Sequence, residues 1–325
     1  MGLLVDGVWQ EDGSRTKDGH FIRPTTHFRN WVTPDGSAGP SGDGGFAAES
    51  GRYHLYVSLA CPWAHRTIIY RKLKALENAI SVSIVSPDML KDGWTFNKDE
   101  GSTGDEVNCR SKLSEIYLLA EPKYSGLVSV PVLWDKKRKT IVNNESSEII
   151  RMFNSGFDAL TNVRTDYYPA PLRGEIDRLN DLIFPNINNG VYRAGFATSQ
   201  AAYEEAFRNL FDALDEIEQI LSKKRYLTGA TITEADWRLF PTLVRFDAVY
   251  YSHFKCNWRH IYEYPNLSNY TRDLYQQPGV AETVSLAQIK RHYYHSQVKV
   301  NPTGIVPLGP QLDLSAPHDR AQLRS

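Results

Sequence analysis

Residues 53–85 place the strongest constraint on what this chain can fold into. Tyr53-His54-Leu55-Tyr56-Val57-Ser58 alternates as a strand does, and after Cys61-Pro62-Trp63 the run from Ala64 to Glu77 has helical spacing. Ile69, Leu73 and Leu76 fall on one face of that helix, with Arg66, Arg71, Lys72 and Lys74 largely elsewhere, and Ile80-Ser-Val-Ser-Ile-Val85 reads as a second strand. A strand, a helix and a strand in so short a span make a right-handed parallel crossover, so an α/β layer is expected here.

The segments that follow extend this layer. A helix is expected around 112–120 (Leu113, Ile116, Tyr117, Ala120), a strand over Val130 to Asp135, a turn at Lys136 to Lys139 and an antiparallel strand over Thr140 to Val142. Another helix begins at Ser146 and runs to Phe153, giving the order β-α-β-α-β-β-α. Residues 1–50 look irregular and form an N-terminal extension whose Asp35 to Gly45 run, rich in Gly, Ser and Pro, is a turn-forming loop. Gly156, Pro169 and Pro171 mark a linker between a domain at 51–155 and one at 172–325. No clear strand appears beyond the linker. Helices are expected at 173–184, 203–221, 234–252, 266–277 and 280–295, before a tail rich in proline. In the strongest of them Tyr203, Phe207, Leu210, Leu214, Ile217 and Leu221 share one face. Thr233-Glu-Ala-Asp236 resembles a capping box and has no catalytic assignment.

Composition removes several classes of function. The 325 residues carry 37 Lys and Arg against 38 Asp and Glu, so no basic surface for nucleic acid is implied by the total. No run of apolar residues reaches the ~18 that a membrane span needs. The three cysteines, Cys61, Cys109 and Cys256, suit neither a disulfide framework nor a zinc site, and no metal is expected. Met1 to Asp6 have no secretory character, and the last four residues form neither a prenylation nor a peroxisomal signal. The expectation is a cytoplasmic protein with no membrane partner.

Three places can carry chemistry. Cys61 follows a strand and precedes a helix with Pro62 in its first turn, so its sulfur meets the positive helix end, which favours thiolate and lowers the pKa below the usual ~8.5. The segment is Cys-Pro-Trp-Ala and has no second Cys, so a mixed disulfide on Cys61 needs an external thiol to resolve it. A buried structural cysteine is the alternative. Val130-Pro131 is either a cis bond that aims backbone groups at a ligand or an edge-strand proline. Asn144-Glu145-Ser146 stands at a strand-to-helix turn, where Ser146 can cap, the helix start can hold a carboxylate and Glu145 an ammonium, or the segment is only an N-cap. Cys109 and Cys256 read as surface or core residues.

Strand, Cys-Pro-Trp-Ala, helix, then Val-Pro-Val-Leu-Trp-Asp, then Asn-Glu-Ser and a helical half resemble a Cys-type glutathione transferase. Ser58-Leu-Ala-Cys-Pro-Trp-Ala-His-Arg66, Val142-Asn-Asn-Glu-Ser-Ser-Glu-Ile-Ile150, Asn189-Gly-Val-Tyr-Arg-Ala-Gly-Phe-Ala197, Arg245-Phe-Asp-Ala-Val-Tyr250 and Asn301-Pro-Thr-Gly-Ile305 together resemble the glutathionyl-hydroquinone reductases, the Xi class. The resemblance spans about residues 50 to 310. It implies an α/β thioredoxin-like N-terminal domain that binds glutathione as co-substrate, an all-α C-terminal domain, and a homodimer. It makes Cys61 the nucleophile and pairs Val130, beside a cis Pro131, with the cysteinyl backbone. Glu145 and Ser146 then hold the γ-glutamyl end, Trp94 lies over the glutathione, and Arg110 meets a carboxylate. Tyr192, Tyr250 and Tyr293 form the hydroquinone pocket, with Tyr192 and Tyr293 as catalytic candidates. The expected reaction reduces a glutathionyl-hydroquinone through a Cys61–glutathione disulfide that a second glutathione resolves. Two rivals remain: a general thioltransferase or dehydroascorbate reductase, and a non-catalytic carrier on the same fold.

Overall fold

The computed structural model describes residues 2–11, 16–99 and 101–323, which divide into two compact units. The first comprises 1–14, 24–165 and 287–292; the second comprises 15–23, 166–286 and 293–325.

The first unit is built on a four-stranded sheet in the order β6-β5-β8-β9, from β5 (Tyr53–Val57), β6 (Ile80–Ile84), β8 (Val132–Asp135) and β9 (Thr140–Asn143). β5 and β6 are parallel, joined through α1 (Pro62–Leu73), while β8 runs antiparallel to both β5 and β9. Leu55 pairs with Val82 on one side and Leu133 on the other, so β5 is one of the two inner strands, and all five of its residues are buried. The strand is covered on both faces, so the alternation in its sequence is not matched by an alternation in burial. β8 begins at Val132, so Pro131 precedes the ladder and removes no bond from it. α2 (Leu113–Ala120) and α3 (Ser146–Arg151) complete the predicted order, and the helical path continues past α3 as a π turn at Met152–Gly156.

Two parts of this unit depart from the sequence reading. The first residues are not wholly irregular: β1 (Leu3–Val5) pairs with β2 (Val8–Gln10) and with β7 (Gly126–Leu127). The basic residues of α1 are not all solvated either. Arg66 and Lys74 are buried, Lys74 because its ammonium donates to the Thr165 carbonyl and pairs with Asp158 at 3.0 Å. Burying an ammonium is tolerable only with such partners.

Among its described residues, the second unit contains helices, their connections and a short hairpin of β3 (Thr16–Lys17) and β4 (His20–Phe21). α4 (Arg173–Ile183) leads through a π turn at Phe184–Asn188 into α5 (Gly190–Gly195), a helix the periodicity did not reveal. α6 (Gln200–Leu221) starts at Ser199, whose hydroxyl accepts the Ala202 N–H. Leu210, Leu214, Ile217 and Leu221 are fully buried on its inner face, each contributing about 1.5–3 kcal/mol. α7 (Glu234–Arg245) opens with the expected capping box: the Asp236 carboxylate accepts the Thr233 N–H at 2.7 Å and its hydroxyl at 3.0 Å. It passes into a π turn at Phe246–Tyr250 instead of running on to 252. α8 (Pro265–Tyr275) follows, and then α9 (Leu286–Ser296), whose residues 287–292 belong to the first unit.

Candidate active site

Cys61 is the N-cap of α1, with extended backbone (φ −78°, ψ 122°) and Pro62 as the first helical residue, where a missing N–H costs nothing. The Cys61 carbonyl accepts the His65 N–H, so the sulfur stands at the N-terminal end of the helix. Its thiol donates to the Val130 carbonyl at 3.6 Å. The Val130–Pro131 bond is cis, as expected. Cys61 is not in a disulfide, and neither are Cys109, which is exposed, and Cys256, which is fully buried. Burial pushes the Cys256 thiol up, which makes it an inert core residue.

The turn into α3 differs in detail from expectation. Glu145, not Ser146, is the N-cap: its carboxylate accepts the Ser147 N–H at 3.0 Å and the Ser147 hydroxyl at 2.9 Å. A carboxylate two bonds longer than a serine hydroxyl still reaches the N2 donor, which frees Ser146 to be the first helical residue. The buried Ser146 hydroxyl accepts from Arg66 Nη1 at 3.4 Å, and the Arg66 guanidinium lies 4.7 Å from the Trp63 ring centre. Cys61, Val130 and the Glu145–Ser146 turn thus join through α1. No spacing rule in the sequence links Arg66 to Ser146.

Trp94 and Arg110 lie on a second substructure of the same unit. The Trp94 carbonyl accepts the Leu113 N–H and Phe96 N–H donates to Ser111, so the Trp94 segment runs beside the one that carries Arg110. Trp94 is buried and stacked on His292, with ring centres 4.8 Å apart. Arg110 is exposed; its backbone N–H donates to Asp105, which also accepts the Tyr56 hydroxyl.

In the second unit, Tyr192 of α5, Tyr250 of the π turn and Tyr293 of α9 converge. The Tyr250 and Tyr293 hydroxyl oxygens are 2.9 Å apart, and Tyr293 is hydrogen-bonded to Tyr192 as well. All three rings are buried among Phe21, Phe196 and Phe254, and the Arg23 guanidinium lies 5.0 Å from the centre of the Tyr192 ring. Burial, reinforced by the neighbouring Tyr192, pushes Tyr250 and Tyr293 well above the ordinary phenol pKa of 10. These groups are therefore neutral hydrogen-bond donors near pH 7 and cannot act as bases there.

A thiol at a helix start in a thioredoxin-like layer, followed by a helical unit, defines a glutathione transferase. The family models for the Glutathione S-transferase N-terminal domain and C-terminal domain match residues 60–155 and 200–273. Glutathionyl-hydroquinone reductase YqjG of Escherichia coli (strain K12) is 57% identical over 98% of both chains. Its relative in three dimensions, the glutathione-bound structure of YqjG, a glutathione transferase homologue from E. coli K-12, has a TM-score of 0.92 at 56% identity, covering 98% of this chain and 99% of that one. The Xi-class glutathione transferase of Natrialba magadii has a TM-score of 0.93 at 50% identity, covering 99% and 98%. The chain belongs to the glutathionyl-hydroquinone reductases, the Xi class of the glutathione transferases.

Proposed function

We propose that this protein reduces glutathionyl-hydroquinones to hydroquinones with glutathione as co-substrate, and that Cys61 carries the reaction. The observation that supports this most is the Cys61 thiol at the start of α1 beside the Val130 carbonyl, in a chain 57% identical to a glutathionyl-hydroquinone reductase. The glutathione groups lie within 51–155. Val130 pairs with the cysteinyl backbone, Glu145 holds the ammonium, and Ser146 holds the neighbouring carboxylate. Trp94 covers the peptide, and Arg110 meets a carboxylate. The three tyrosines, from the 172–325 domain, receive the phenol.

The Cys61 thiolate attacks the sulfur of the glutathionyl-hydroquinone. A Cys61–glutathione disulfide forms, the sulfur–aryl bond breaks, and the departing ring carbon takes a proton to give hydroquinone. Tautomerisation of the phenol to its keto form eases that protonation. A second glutathione thiolate then attacks the disulfide, forming oxidised glutathione and releasing the Cys61 thiolate. Tyr250 and Tyr293, kept protonated by burial, and Tyr192 beside them donate hydrogen bonds to the substrate oxygen or deliver the proton.

The working form is a homodimer, since a closed two-fold pair is the commonest assembly for such chains, and it acts in the cytoplasm, where the glutathione pool is kept reduced. Comparing turnover of a glutathionyl-hydroquinone with that of dehydroascorbate tests the substrate. A preference for the conjugate supports the assignment, and faster reduction of dehydroascorbate replaces it with a general thioltransferase. Sedimentation showing only a species near the mass of one chain, 36.9 kDa, would overturn the dimer.

A further inference from the structure

We propose that His292 is a positioning residue for glutathione, acting by holding the Trp94 indole in place. This deepens the reading above and rests on Trp94 covering the bound peptide. The two rings are nearly parallel, 18° apart, with centres at 4.8 Å, and both are buried in the first unit. The geometry is that of an offset aromatic stack, which restricts the indole to one plane.

His292 is itself fixed. Its Nδ1 is 2.9 Å from the Pro87 carbonyl oxygen. A carbonyl can only accept, so Nδ1 carries the proton and the ring plane is set by that bond. The preceding residue adds a second tie to the same segment: Arg291 donates Nε to one Asp88 oxygen at 2.8 Å and Nη2 to the other at 2.6 Å. Such a paired guanidinium–carboxylate contact has a defined geometry as well as an attraction. Residues 291 and 292 therefore grip the loop at Pro87–Asp88, and His292 presents its face to Trp94 a few residues further along that loop. The loop on its own has little to hold an indole. Its ordering depends on Ser86 N–H donating to Thr95 and on the Trp94–Leu113 backbone bond, which position the backbone but leave the side-chain torsions of Trp94 unset. The His292 ring supplies what those bonds do not.

Holding the indole before the ligand arrives reduces the ordering cost of binding. Loss of the stack should weaken glutathione binding about three- to tenfold, the range expected for one aromatic pair. It should leave the chemical step at saturating glutathione nearly unchanged, since His292 touches no reacting atom.

The test is a calorimetric Kd for glutathione on the full chain, for wild type, Trp94→Ala, His292→Ala, the double variant and His292→Phe, with melting temperature recorded for each. The expected result is weaker binding in both single variants, a double variant no weaker than Trp94→Ala, and recovery in His292→Phe, which keeps the stack and loses the Pro87 bond. Weaker binding in Trp94→Ala with wild-type binding in His292→Ala overturns this proposal and leaves the Trp94 assignment standing. Wild-type binding in Trp94→Ala removes both. Additive losses, or a His292→Phe variant as weak as His292→Ala, would mean that His292 acts on the fold and not through the indole, and would also overturn it.

Discussion

The Cys61 sulfur and the Val130 carbonyl oxygen lie 3.6 Å apart, joining positions 69 residues distant in sequence. On the proposed reading, a peptide that pairs with the Val130 backbone brings its own sulfur to Cys61, and the binding strand and the nucleophile form one device. The rest of the account follows from what anchors the remainder of that peptide and what receives the leaving group.

Glu145→Gln separates two functions of one side chain. The amide oxygen can still accept the Ser147 N–H that the carboxylate accepts now, so the cap survives and the melting temperature should move little. If Glu145 holds the glutathione ammonium as proposed, its negative charge is lost, and a charge-assisted bond is worth about 1–2 kcal/mol more than a neutral one, so KM for glutathione should rise about tenfold. Steady-state kinetics at varied glutathione checks this; an unchanged KM removes Glu145 from the ammonium site.

The tyrosines are tested one at a time. If they only bind the ring, Tyr→Phe at 192, 250 or 293 should raise KM for the conjugate and spare kcat; if one delivers the proton, its variant should lower kcat. Burial holds Tyr250 and Tyr293 well above 10, so neither variant should change the shape of the rate profile between about pH 6 and 9. Glutathione affinity should be unaffected in all three. Three variants with wild-type constants would take the tyrosines out of the mechanism.

The sheet depends on a buried ion pair. Arg52 Nε donates to both Asp135 oxygens at 3.1 Å, and the pairing raises the arginine pKa above its ordinary value. Asp135 also accepts the Lys137 and Arg138 N–H groups that close the β8–β9 turn. Asp135→Ala leaves a buried guanidinium without this partner and should destabilise the fold by about 3–5 kcal/mol in denaturant titration. A loss below ~1 kcal/mol, the level of a surface pair, contradicts the argument.

Acid sensitivity should come partly from two histidines. Burial lowers His54 and His253 to about 4, against an ordinary value of 6.5. As pH falls below about 6.5 the unfolded chain takes up these protons and the folded chain does not, so stability is full above that pH and declines toward 4. Each site costs up to ~3 kcal/mol over that window, at about 1.4 kcal/mol per pKa unit. Melting curves of a His54→Asn, His253→Asn double variant should show a shallower decline than wild type, and an equal slope would count against the buried neutral state.

The parts of the fold that a local pattern encodes were readable in advance. The strand at Tyr53–Val57, the spacing of Leu210, Leu214, Ile217 and Leu221 and the Thr233–Asp236 box each depend on residues a few positions apart. The parts that depend on distant partners were not. Leu3–Val5 is too short to show a period and becomes a strand through its pairing with Val8–Gln10 and with the distant Gly126–Leu127. Arg66 and Lys74 lie off the apolar face in the sequence, and their burial depends on the distant partners Ser146, Thr165 and Asp158. Ser146 looked like the cap by residue preference, but the longer Glu145 side chain reaches the donor first. Tyr192, Tyr250 and Tyr293 could be grouped only through the family resemblance, since a spread of 101 residues leaves no periodic trace. The His292–Trp94 stack had no signal in the sequence.

The central claim is that sulfur transfer passes through Cys61. Fully reduced enzyme should be mixed with one equivalent of a glutathionyl-hydroquinone, with no free glutathione, quenched in acid and read by intact-mass and peptide mass spectrometry. The account predicts one hydroquinone released per chain and one glutathionyl group on the peptide carrying Cys61, removed on adding glutathione, with neither product formed by Cys61→Ser. Hydroquinone released without a Cys61 adduct, or at a normal rate by Cys61→Ser, would contradict it.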